Sequence, residues 1–117
     1  MSLFDSAAAD AETSRHQVKE LSIRLAKFKQ DLIDVEVSKS RIRAEVEKDS
    51  KDYGRNEQER AAAITVGLAN NDVYSDLSKN QIDLKAKVAL LEIDIDWNEK
   101  LHKESLLRMS YAIAVKG

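Results

Sequence analysis

Residues 18–53 read VKELSIRLAKFKQDLIDVEVSKSRIRAEVEKDSKDY. Val18, Leu21, Leu25, Phe28, Leu32, Val35, Lys39, Ile42, Val46, Asp49 and Tyr53 follow one another at alternating steps of three and four. A helix over this stretch therefore carries one narrow apolar seam, interrupted at Lys39 and Asp49. Ile23, Ile33 and Val37 lie beside the seam and widen it, which suits a bundle better than a lone two-stranded zipper. At 1.5 Å per residue such a helix is roughly 54 Å long. The expected fold class is all-α: an elongated helical hairpin or three-helix segment that forms a coiled-coil-like oligomeric bundle.

Working outward, the composition agrees with long helices. The chain has 117 residues, of which 43% are hydrophobic and 34% charged, with three Gly and no Pro. Nothing with a locked φ or a missing amide interrupts a helix. The length fits one domain, expected to contain helix A over about 12–53, a short helix over about 56–69 and a final helix over about 73–114. The 19 basic and 21 acidic residues are interleaved, giving a formal charge of -2. Phosphate binding wants a concentrated basic face, so nucleic acid is not the expected partner. Without Cys, disulfides, thiol catalysis and cysteine metal sites are excluded. No run approaches a membrane span and the first residues do not resemble a signal peptide, so neither membrane insertion nor export is expected and the location expected is cytoplasmic.

Residues 1–10 read as a weakly ordered lead, with helix A beginning between Ser6 and Ser14. Gly54, in a polar stretch after the seam, marks a kink or break. The Ala61–Ala63 run suits close helix approach, and Gly67, Asn70, Asn71 and Asp72 give the strongest turn signal, with Asp72 or Ser75 available as the cap of the final helix. That helix has two apolar sides. One runs through Leu77, Leu84, Val88, Leu91, Ile95, Asn98, His102, Leu106, Met109 and Ile113, with a stutter where His102 steps by four to Leu106. The other contains Leu90, Ile93, Trp97, Leu101, Tyr111 and Val115. A helix apolar on two sides cannot satisfy both within a two-helix hairpin, which points to a homo-oligomer and to a protein partner.

The residues expected at interfaces are accordingly Leu25, Phe28, Leu32, Leu90, Trp97, Leu101 and Tyr111, with Trp97 as the anchor. Lys39, Asn98 and His102 interrupt aliphatic rows and are expected to set register, since a polar group in a helical seam selects pairings at a cost in stability. Glu99 and His102 also form a Glu-x-x-His pair, the spacing that carboxylate-bridged di-metal bundles use together with further Glu residues such as Glu36. A single pair is thin support, so no cofactor is the first expectation and iron, manganese or zinc the alternative. The acidic run Glu92, Asp94, Asp96 and Glu99 fans around the helix instead of converging on a cation. No nucleophile–base constellation or Gly-rich phosphate loop is present.

The sequence thus favours a non-enzymatic scaffold or adaptor that works through self-association and protein–protein binding. Two alternatives are a dimeric ferritin-like metal-binding bundle with a half-site from each chain, and a regulatory protein that takes a partner helix in an apolar groove.

Overall fold

A computed structural model describes residues 2–51 and 56–116. Among them the chain is all-helical, with α1 over Leu3–Ser50, α2 over Glu57–Ala69 and α3 over Asp72–Lys116, and no strand. Their contacts group into two compact units: Met1–Phe28 with Lys87–Gly117, and Lys29–Ala86.

α1 starts earlier than the expected position near residue 12. The Ser2 hydroxyl accepts the Asp5 N–H at 3.1 Å and the Ser2 carbonyl accepts the Ser6 N–H at 3.0 Å, so Ser2 is the cap and Asp5 lies in the first turn. The lead that looked weakly ordered is helical because the same three-four spacing continues upstream through Ala7, Ala11 and Ser14, all buried. At the other end α1 stops at Ser50, whose hydroxyl donates to the Val46 carbonyl at 2.7 Å. Asp49, read as a seam position, is exposed, and buried Ser50 takes its place. Tyr53 and the break expected at Gly54 lie outside the described residues.

In the first unit, residues 3–28 of α1 run antiparallel to 87–116 of α3. Asp10 meets Arg108, Ala11 meets His102, and the Lys87 ammonium lies 5.6 Å from the centre of the Phe28 ring. Each seam side chain is covered from one side by a single partner helix, so Val18, Leu21, Leu25 and Phe28 are only half-buried. Complete burial occurs where side chains are small, at Ala7, Ala11, Ser14, Ser105 and Ala112. Helix separation follows the size of the side chains between the backbones, and these residues let the backbones approach closely.

That close approach removes the stutter expected in α3. From His102 the buried or half-buried positions continue to Ser105, Met109 and Ala112, keeping the regular alternation. Leu106 is 44% exposed and Ile113 is exposed as well. A leucine does not fit where Ala11 and Ser14 draw the helices together; a serine does.

The second unit holds residues 29–50 of α1, all of α2, and 72–86 of α3. Val35 and Leu84 are its buried hydrophobic residues. α2 is capped by Asn56, whose side-chain oxygen accepts the Glu59 N–H at 2.9 Å, and Glu57 and Glu59 sit in its first turn. It rests against α1 at Gly67, where a Cβ would lie 2.7 Å from Cγ1 of Val46, a distance only a glycine permits without a shift. The turn into α3 falls where the sequence placed it, but the cap is Asn71: its side-chain oxygen accepts the Tyr74 N–H at 2.8 Å. Asp72 is the first helical residue and Ser75 lies within the first turn.

Candidate interaction surfaces

Two kinds of surface are built by this arrangement: polar layers inside the helix pairs, and apolar faces turned away from them. In the first unit the polar layer surrounds the small-residue seam. His102 is half-buried, and its Nδ1 lies 2.9 Å from the Ala11 carbonyl oxygen on α1. A carbonyl only accepts, so Nδ1 carries the proton and donates. Arg108 donates from Nη2 to Asp10 Oδ2 at 2.8 Å and to the Ser105 hydroxyl at 3.1 Å. Ser105 donates in turn to the Leu101 carbonyl, and Ser14 to the Asp10 carbonyl. Both seam serines therefore satisfy their hydroxyls on their own helix, which is how a serine occupies a buried site at small cost.

Of the three residues expected to set register, two reach across to another helix. His102 does so as described. In the second unit Lys39 donates to Gln81 Oε1 at 2.7 Å and lies 4.9 Å from the centre of the Tyr74 ring. It is paired with a neutral amide and an aromatic face. Asn98 is half-buried but donates to the Asp94 carbonyl of its own helix at 2.8 Å.

Of the candidate metal ligands, Glu99 and His102 lie on α3 in the first unit and Glu36 lies on α1 in the second. Both glutamates are exposed. Among the described residues no group of three or more His, Cys, Asp or Glu side chains is placed to hold a metal ion.

Leu25, Phe28 and Leu32, expected at an interface, sit half-buried on the α1 seam. Leu90, Trp97 and Tyr111 face away from it, whereas Leu101, 36% exposed, flanks the seam beside Ser14 and Gln17 of α1. Trp97 is 62% exposed and Tyr111 66% exposed, and Ile93 and Leu107 are similarly open. Alternation by three and four recurs on this outer side through Leu90, Ile93, Trp97, Lys100, Glu104, Leu107, Tyr111 and Ala114. α3 thus carries two heptad rows, one filled by α1 and one uncovered. Several large apolar side chains exposed along one side of a helix mark an interaction surface more often than an ordinary solvent face.

The second unit has an apolar groove of about 610 Å³ where α2 meets α1, walled by Val46, Ala62, Ala63 and Val66, with Asp49 and Ser50 at its polar edge. Sequence reasoning flagged the small residues of α2 for close approach but read Gly67 as part of the turn; it lies within α2, and its missing Cβ brings the two helices together. A glycine facing a β-branched residue leaves no mark in either helix read alone.

The chain is defined by its fold as an all-α protein of antiparallel heptad-packed helices. It matches no known family model, curated protein or solved structure. Among the described residues no helix is long and apolar enough to cross a membrane.

Proposed function

We propose that the protein is a helical scaffold or adaptor, not an enzyme, acting in the cytoplasm through self-association and protein–protein binding. The observation that carries this reading is the second heptad row of α3. It presents Leu90, Ile93, Trp97 and Tyr111 to solvent while the first row is already occupied by α1. Burial of such side chains stabilises by about 1.5–3 kcal/mol each, so a row of them supplies association free energy once covered. The contact of His102 with the Ala11 carbonyl then fixes the register in which that row is presented.

Sedimentation equilibrium over a wide concentration range tests the reading. The wild-type chain should exceed monomer mass, and Trp97→Ala with Leu101→Ala should shift it towards monomer while helix content stays unchanged. A wild-type monomer at every concentration would end the self-association proposal. The groove between α1 and α2 supports a second reading, in which a partner's helix docks there. Val66→Lys should abolish such binding without altering self-association through α3.

A further inference from the structure

We propose that the outer row of α3 is the seat of a second copy of this chain, packed antiparallel, in a register set by Lys100 and Glu104. The proposal rests on the self-association reading above and specifies its geometry. The row divides into three parts: apolar Leu90, Ile93 and Trp97, then the charges Lys100 and Glu104, then apolar Leu107, Tyr111 and Ala114. This order is nearly palindromic in chemistry, as an isologous interface requires.

When two such rows run antiparallel with Lys100 opposite the partner's Glu104, every layer matches. Trp97 meets the partner's Leu107, Ile93 meets the partner's Tyr111, and Leu90 meets the partner's Ala114. The two-fold axis repeats each contact, so two Lys–Glu pairs lie at the centre with apolar layers on either side. Lys103 approaches the partner's Lys103 on the solvent rim, where water and salt screen the repulsion.

Other pairings fail on charge. A slip of one heptad places Ile93 against the partner's Glu104 and Trp97 against the partner's Lys100, burying a charge on an apolar neighbour. A slip the other way sets Glu104 against the partner's Leu107. Parallel, in-register pairing sets Lys100 on the partner's Lys100 and Glu104 on the partner's Glu104. In the single chain Lys100 pairs with Asp96 at 3.0 Å, with both side chains about two-thirds exposed. A bridge that open holds Lys100 weakly, leaving it able to turn to a partner.

Two measurements on the full chain test the geometry. The chain has no cysteine, so spin labels can be placed singly at the exposed rim positions through Ala89→Cys and Lys103→Cys. In the antiparallel dimer the Lys103 labels lie within about 25 Å of each other, whereas the Ala89 labels are about 39 Å apart along the helix axis at 1.5 Å per residue. Short distances at both positions would overturn the antiparallel arrangement. Charge reversal tests the register. Lys100→Glu and Glu104→Lys should each weaken the dimer about tenfold, since two attractive contacts become repulsive. An equimolar mixture of the two variants should recover wild-type affinity as a heterodimer. A dimer whose affinity neither variant changes would overturn this interface while leaving self-association intact. A monomeric wild-type chain would remove both.

Discussion

Replacing Gly67 by Ala should destabilise the protein, against the ordinary trend for a glycine inside a helix. On propensity alone Gly→Ala gains about 0.5–1 kcal/mol, because alanine loses less backbone entropy on folding. The new Cβ, however, would sit 2.7 Å from Cγ1 of Val46. Valine in a helix has one strongly preferred χ1 rotamer, so the methyl cannot swing aside cheaply. Overpacking of this kind costs about 1–3 kcal/mol, and the net expectation is a loss of about 1 kcal/mol. Val46→Ala removes the obstructing methyl. The nearest atom is then Cβ of residue 46 at 3.9 Å, an ordinary contact. In that background Gly67→Ala should stabilise by about 0.5–1 kcal/mol. Urea unfolding followed by far-ultraviolet circular dichroism, on all four members of the double-mutant cycle at one protein concentration, measures the change of sign. Equal stabilisation by Gly67→Ala in both backgrounds would refute the close approach of α2 to α1.

Substitutions at four further positions probe the local chemistry. Asn71→Ala should cost about 1 kcal/mol by removing the cap of α3, whereas Asp72→Ala should lose only the few tenths of a kcal/mol that a carboxylate gains near a helix N-terminus; urea midpoints distinguish the two. Ser105→Leu should destabilise by about 1–3 kcal/mol because the seam there is closed by small side chains, while Ser105→Ala should change stability by no more than about 1 kcal/mol, as read by thermal unfolding. Arg108→Ala should cost less than about 1 kcal/mol, with a difference from wild type that shrinks as salt is added, since both partners of the Asp10 pair are about half exposed.

What the sequence disclosed depended on side-chain size. The row from Val18 to Val46 was legible because large aliphatic groups at a three-four spacing leave a helix few other ways to face a partner. Leu90, Ile93, Trp97 and Tyr111 of the outer row of α3 were legible for the same reason, but Leu107 was missed and Leu101, which flanks the seam, was read into the row. The upstream extension through Ala7, Ala11 and Ser14 was not, because alanine and serine occur as readily on a solvent face as between two backbones. The same ambiguity produced the stutter: Leu106 looked like the next seam residue, yet Ser105 is buried. His102 stood out as an interruption of an aliphatic row, but its acceptor is a backbone carbonyl, which no side-chain pattern reveals. The groove at Gly67 and Val46 joins residues of two helices, and only the packing shows them as neighbours.

The contacts between helices also order the events of folding. Lys39 and Gln81 are 42 residues apart in the chain, while Ala11 and His102 are 91 apart and Asp10 and Arg108 are 98 apart. Closing the 91-residue separation directly costs about 0.7 kcal/mol more than closing the 42-residue one. Once the second unit, Lys29–Ala86, has formed, the segment joining the two halves of the first unit is already compact, so the loop left to close is shorter. Contacts of the first unit therefore form late. Weakening them, as at Ser105, raises the unfolding rate, whereas damage at Val35 or Leu84 slows folding itself.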